Sequence, residues 1–91
     1  MAKAIHTLDA IRVLLNGGQI AENFPKISGK TKYWVQIPHD LVNGAYKDIA
    51  HITEKQFSEL QNHKLLQLTR RQTYENGGGT NYWRLRGSEH A

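Results

Sequence analysis

Five basic side chains near the C-terminus are the residues whose types and spacing suggest chemistry. They are Lys64, Arg70, Arg71, Arg84 and Arg86. With one acid, Glu75, among them, residues 64–86 carry a net charge of +4, which equals the formal net charge of the whole 91-residue chain. Tyr74, Tyr82 and Trp83 are interleaved with these bases. Positive charge confined to one stretch with aromatic side chains is typical of a surface that binds a polyanion.

The elements that must position these bases are a helix over 53–62 and a hairpin that follows it. Thr53 is a suitable N-cap, and Gln56 three residues later completes a capping box. Ile52 and Phe57 occupy the two positions of a hydrophobic staple. Asn62 or His63 ends the helix.

Residues 65–74 alternate with a period of two, and residues 76–79, Asn-Gly-Gly-Gly, are typical of a turn. The return strand over 81–86 then places Trp83 and Leu85 on one face, and Tyr82, Arg84 and Arg86 on the other. Arginines also keep exposed edge strands from pairing with other chains, which is the alternative interpretation of this hairpin. The confinement of the charge excess to one element favours binding.

The sequence before residue 52 predicts two helices and two strands. An apolar stripe predicts a helix over 3–15, which residues 16–18, Asn-Gly-Gly, terminate. Residues 19–24 and 33–37 are predicted strands; in the second, Tyr33, Val35 and Ile37 share one face, and Trp34 and Gln36 the other. A second short helix is predicted over 40–50, with Asp40 as its cap, although Asn43-Gly44 interrupts the pattern and favours a start near Ala45.

Composition limits the class of protein. The length predicts one domain over residues 1–91, with an ordered core over about 3–87. The chain has no cysteine, no apolar run long enough to span a membrane and no signal-peptide pattern at its N-terminus, so we expect a cytoplasmic protein. The five histidines do not cluster, and no histidine and acid are paired at catalytic or metal-ligand spacing. We therefore expect neither an enzyme nor a bound metal or cofactor.

The order of these elements resembles the winged-helix family of DNA-binding proteins. A first helix, a strand, two short helices and a C-terminal two-stranded hairpin is the winged helix-turn-helix arrangement. The segment ITEKQFSELQNHKLLQLTRR, residues 52–71, is similar to the recognition helix and first wing strand of that family. The resemblance implies an α+β fold of three helices with a two-stranded wing, and the predicted strand at 19–24 is an addition to it.

The resemblance also implies which residues contact duplex DNA. On the 53–62 helix these are Lys55, Gln56, Ser58 and Asn62, since amide and amine side chains read base edges in the major groove. In the hairpin they are Lys64, Arg70, Arg71, Asn76, Thr80, Arg84 and Arg86. Glu54 and Glu59 would approach phosphates, so the wing is the better candidate for the main contact.

Two functions of different classes follow from this sequence. The first is a small transcriptional regulator or architectural factor that grips duplex DNA, for which a homodimer on a two-fold site is a further expectation. The second is a protein-binding module or inhibitor whose basic hairpin binds an acidic partner surface, an alternative that the acids on the 53–62 helix favour.

Overall fold

The structure is a computed structural model, which describes residues 3–25, 29–40, 42–75 and 77–87. These residues form one sheet and two helices. The elements in chain order are β1 Lys3–Ala4, α1 Thr7–Leu15, β2 Gln19–Phe24, β3 Lys32–Asp40, β4 Ala45–Ile52, α2 Glu54–Asn62, β5 Leu66–Thr73 and β6 Gly79–Leu85.

The strands lie in the order β1-β4-β3-β2-β6-β5 in a single six-stranded sheet. Strands β2 to β6 are antiparallel to their neighbours, and the two-residue β1 runs parallel to β4 at one edge. After β4 the chain passes through α2 to the opposite edge, where β5 begins. The hairpin then turns back, so β6 lies between β2 and β5.

Both helices pack on one face of the sheet. Ala10 and Leu14 of α1, and Phe57 and Leu60 of α2, are buried in one apolar cluster with strand residues. The strand residues of this cluster are Ile20, Tyr33, Val35, Ala50, Ile52 and Leu66. The other face of the sheet carries no helix among the described residues, and we call it the open face.

Aromatic rings connect α2 to the centre of the sheet. Phe57 stacks on Tyr33 with ring centroids 4.5 Å apart, and it meets Trp83 edge-on at 5.7 Å. Burial raises the pKa of the Tyr33 hydroxyl above its ordinary value, and the charges of Glu22 and Glu54 add to this effect. Because its ring contacts Phe57 of α2, Trp83 is a packing residue on the helix-covered face.

The ends of both helices follow from local sequence. The Gly18 and Gly17 N–H groups donate to the carbonyls of Val13 and Leu14, with Gly17 at φ +91°, which is a Schellman motif that ends α1. The predicted capping box of α2 is confirmed. The Gln56 N–H donates to the Thr53 hydroxyl over 3.1 Å, and the Thr53 N–H donates to Gln56 Oε1 over 2.8 Å.

The predicted helix over 40–50 is wrong, because residues 42–44 form a turn and β4, the second strand of a hairpin, begins at Ala45. Asp40 caps the turn rather than a helix, accepting hydrogen bonds from the Val42 N–H, the Asn43 N–H and the Asn43 side-chain amide at 3.1, 3.3 and 2.6 Å. Gly44 adopts φ +67°, the left-handed conformation that glycine favours in turns. A turn signal therefore lies where the sequence pattern indicated a weak helix.

The predicted winged-helix fold is also wrong. The described residues contain two helices rather than three, and the C-terminal hairpin is not a free wing. Strand β6 pairs with β2 from Ile20↔Trp83 to Phe24↔Gly79, so one side of the hairpin is fixed within the sheet. The predicted strands at 19–24 and 33–37 are confirmed, and they pair with each other as β2 and β3.

Bulges curve the sheet. Strand β5 has one extra residue, Thr69, between the pairs Leu68↔Trp83 and Arg70↔Tyr82, and β4 has one, Ile49, between the pairs made by Val35 and Gln36. Bulges bend the bulged strand and increase its local twist. Consistent with this curvature, Gly44 and Tyr46 line the same groove as Thr69 and Arg70 from the far side of the sheet. The open face is therefore concave.

Candidate functional site

A row of side chains crosses the open face, one from each of five adjacent strands. The paired residues are Arg70, Tyr82, Ala21, Trp34 and His51, from β5, β6, β2, β3 and β4. We call this the aromatic row. The Arg70 guanidinium carbon lies 5.7 Å from the centre of the Tyr82 ring, and Trp34 and His51 meet edge to face at 6.1 Å. The row offers π-faces with a cation at one end.

A second row lies beside it and is polar throughout. Its members are Gln67, Arg84, Gln19, Gln36 and Asp48. The Gln19 amide donates to Gln36 Oε1, and the Gln36 amide donates to Asp48 Oδ1, each over 2.7 Å. We call this the amide row. Its hydrogen bonds run in one direction and end on a carboxylate, so Gln19 and Gln36 are held in fixed orientations.

The two rows meet in a groove of about 360 Å³ on the open face. Tyr46 and Tyr82 supply aromatic walls, Gln19 and Gln36 supply amides, and Arg70 and Arg84 supply positive charge. Arg84 is half-buried, and its Nε–H is buried without a hydrogen-bond partner among the described residues. An unpaired buried donor is costly, which makes this position a candidate ligand contact.

The hairpin arginines keep their charge available. Among the described residues the one ion pair joins Asp9 and Arg12 on α1, with a closest distance of 3.6 Å. The four arginines of β5, β6 and the following turn therefore have no carboxylate partner in that part of the chain. Asp48, the acid in the amide row, accepts its hydrogen bond from Gln36 instead.

The residues of α2 that are predicted to contact DNA do not join this groove. Lys55, Ser58 and Asn62 are exposed on a helix that lies on the opposite side of the sheet. Gln56 is occupied, because besides the capping box its side-chain amide donates to the Ile5 carbonyl over 2.8 Å and to the Thr7 hydroxyl over 3.3 Å. It connects α2 to the start of α1.

The predicted hairpin residues divide between the two faces. Arg70 and Arg84 share the open face, whereas Arg71 pairs with Asn81 on the helix-covered side and donates to its Oδ1 over 3.1 Å. Thr80 lies on the open face but is buried, with its hydroxyl 3.4 Å from Asn23 Oδ1.

Two further predicted residues meet at the sheet edge, where Arg86 Nε donates to the Lys64 carbonyl over 3.1 Å. The predicted contact at Asn76 lies outside the described residues.

The part of the candidate site that comes from the first half of the chain is not predicted from the sequence. Gln19, Trp34, Gln36, Tyr46 and His51 belong to it. One signal is present: Trp34 is predicted on the same face of its strand as Gln36, opposite Tyr33 and Val35. A tryptophan on the face of a strand that does not enter the core is a candidate binding residue.

Within the described part of the chain, no group of three or more histidine and acidic side chains is placed to hold a metal ion. Neither α1 nor α2 is long and apolar enough to cross a membrane. Comparisons of the chain with protein-family models, with curated proteins and with solved structures found no match to place beside this site.

Proposed function

We propose that this protein binds single-stranded nucleic acid on the concave open face of its sheet. The observation that carries the proposal is the aromatic row, in which Tyr82 and Trp34 lie two strands apart with Arg70 at the end of the row. The expected compartment is the cytoplasm, which contains single-stranded nucleic acid.

Unpaired bases favour this surface because they expose their π-faces. Proteins that bind single strands stack bases on aromatic side chains and track the backbone with positive charge, and each stack contributes about 1–3 kcal/mol. Tyr82 and Trp34 are both partly exposed and so have ring surface to offer. Arg70, exposed at the edge strand, is placed to meet a phosphate beside the first ring.

The dimensions of the face disfavour a duplex. Five strands at spacings of about 4.8 Å span about 19 Å. The major groove of B-DNA is about 12 Å wide and admits a helix or a two-stranded ribbon. The ribbon here, β5 and β6, is bonded to β2 along one side. Duplex DNA and an acidic protein surface remain the partners predicted from the sequence. The binding experiment discriminates among single-stranded nucleic acid, duplex DNA and an acidic protein.

Fluorescence anisotropy with labelled oligonucleotides tests the proposal. The probes are a mixed-sequence DNA single strand of about ten nucleotides, its RNA equivalent and the corresponding DNA duplex, each titrated over a salt series. We expect the single strands to bind more tightly than the duplex. If Arg70 neutralises one phosphate, log K falls against log salt with a slope of about −0.7.

The same titrations can overturn the proposal. Tighter binding of the duplex at every salt concentration would contradict the single-strand assignment and favour the DNA-binding mode expected from the sequence. Absence of binding to every oligonucleotide at low salt would remove nucleic acid as the partner, and an acidic protein would then be the candidate.

A further inference from the structure

We infer that Arg84 reads the base of the bound strand and that the groove around it prefers guanine. This inference rests on the proposed function and concerns specificity, which the aromatic row by itself does not supply, since every base has a π-face. It assigns different tasks to the two arginines of the groove: Arg70 meets phosphate, and Arg84 meets a base edge.

The surroundings of the two arginines differ. Arg70 is exposed on the edge strand, where its side chain can follow a mobile phosphate. Arg84 is half-buried on β6, between neighbours on both sides, and its Nε is fully buried. Packing that fixes the Nε also fixes the plane of the guanidinium group, and a fixed planar fork is what bidentate recognition requires.

The neighbour of Arg84 supplies the complementary hydrogen-bonding group. Gln19 and Arg84 are the next residues beyond the Ile20↔Trp83 pair, so they lie side by side on the open face. The Gln19 amide nitrogen is committed to Gln36, whereas Gln19 Oε1 accepts no hydrogen bond from the described residues. The groove therefore presents the donors of Arg84 beside the acceptor of Gln19.

Guanine matches this pattern. Its O6 and N7 are adjacent acceptors, and an arginine fork to this pair is the commonest specific contact that proteins make with a base. Its N1–H, next to O6, is a donor that faces the Gln19 carbonyl oxygen. Adenine would instead turn its N6 amino group toward the donors of Arg84. Asp48, the acid at the end of the amide row, disfavours a phosphate there.

The walls of the groove suit a flat aromatic ligand. Tyr46, from β4, and Tyr82, from β6, both line the groove that contains Arg84. A base between or against these rings would present its edge to the amide row on the floor. Side chains of the β-strands would then contact the edge of the base, while the sugar-phosphate backbone of the bound nucleic acid faces solvent and Arg70.

The test compares oligothymidine strands of about ten nucleotides that carry one guanine, adenine, cytosine or 7-deazaguanine at the centre. We expect the guanine strand to bind about 5- to 150-fold more tightly than the others, as one bidentate base contact allows. The 7-deazaguanine strand lacks the N7 acceptor and is expected to lose most of this preference. Replacement of guanine by hypoxanthine, which retains O6, N7 and N1–H, is expected to preserve it.

Variants assign the preference to Arg84. Arg84→Lys and Arg84→Gln are expected to abolish the guanine preference while leaving the salt slope unchanged, whereas Arg70→Gln reduces the slope by about 0.7 and keeps the preference. Arg71→Gln, on the other face, is the control. Circular dichroism checks that each variant is folded.

The outcomes separate the two claims. Equal binding of all the single-base strands by the wild-type protein, or a preference for cytosine, overturns the guanine assignment and leaves single-strand binding intact. A guanine preference that survives in Arg84→Lys and Arg84→Gln overturns the role of Arg84. Failure of every strand to bind overturns the proposed function itself.

Discussion

Arg70 lies over the ring of Tyr82, 5.7 Å from the ring centre, because one extra residue in β5 turns it to that face. Up to Leu68 the β5–β6 pairing keeps a constant register, and Thr69 then occupies an additional position before Arg70 pairs with Tyr82. Without this bulge, strict alternation would place Arg70 on the same face as Leu66 and Leu68, which is the face that the helices pack on. The bulge therefore determines which arginine reaches the open face.

The stacking role of Tyr82 can be separated from its hydroxyl group. Tyr82→Leu removes the π-face and is expected to weaken binding of a single strand by about 1–3 kcal/mol. Tyr82→Phe keeps the ring and loses only a long contact from the hydroxyl to Gln72, at 3.5 Å, so it is expected to bind nearly as the wild type does. Anisotropy titrations measure both. Equal losses in the two variants would show that the ring does not stack a base.

Gln56 is expected to matter for stability and not for binding. Thr53→Ala removes one half of the capping box and is expected to cost about 1 kcal/mol of unfolding free energy. Gln56→Ala also removes the bonds to Ile5 and Thr7, and we expect a larger cost of about 2 kcal/mol. Urea denaturation measures both values. A folded Gln56→Ala protein that has lost affinity for nucleic acid would contradict the placement of the site on the open face.

Lys64 ends α2 in a conformation that suits glycine. Its φ is +57°, and its N–H donates to the Gln61 carbonyl over 2.9 Å. A non-glycine residue in the left-handed region destabilises the fold by about 1–2 kcal/mol. Glycine avoids this cost, but it loses more chain entropy on folding, which offsets part of the gain. Lys64→Gly is therefore expected to stabilise the fold by about 1 kcal/mol and to raise Tm by about 5 °C. Lys64→Ala keeps the strain and is the control; an equal gain in both variants would refute this explanation.

The turn between β3 and β4 is expected to be sensitive to acid. Hydrogen bonds from the Asn43 side chain, then from the backbone of Asn43 and Val42, hold the pKa of the Asp40 carboxyl below its ordinary value of 3.8. Because the folded-state pKa is the lower one, this contribution is present above the ordinary value and is lost as pH falls through the folded-state value. The stability difference between the wild type and Asp40→Ala should thus shrink below about pH 4. Urea denaturation at several pH values checks this, and a difference that stays constant would contradict it.

Local signals in the sequence predicted the elements whose geometry is set by adjacent residues. The capping box of Thr53 and Gln56 and the paired strands at 19–24 and 33–37 are of this kind. The helix predicted over 40–50 failed because Val42, Tyr46 and Ile49 have helical spacing. In the structure Ile49 is the bulged residue of β4, so a broken strand alternation imitates a helix.

The site was hard to predict because it depends on pairing between distant segments. The concentration of charge pointed to β5 and β6, but their partner β2 lies about sixty residues earlier in the chain, as in the pair Ala21↔Tyr82. That pairing turns a hairpin with a free tip into part of a sheet. It also brings Trp34 into line with Tyr82, which no local pattern indicates.

The most direct test of the account compares two adjacent arginines of β5. Arg70 lies on the open face beside Tyr82, and Arg71 lies on the other face beside Asn81. The substitutions Arg70→Ala and Arg71→Ala each remove one positive charge, and they remove it from opposite faces of the sheet. We predict that Arg70→Ala lowers affinity for a single strand and reduces the salt slope by about 0.7, whereas Arg71→Ala leaves both nearly unchanged. Equal losses in the two variants, or a loss confined to Arg71→Ala, would contradict binding on the open face.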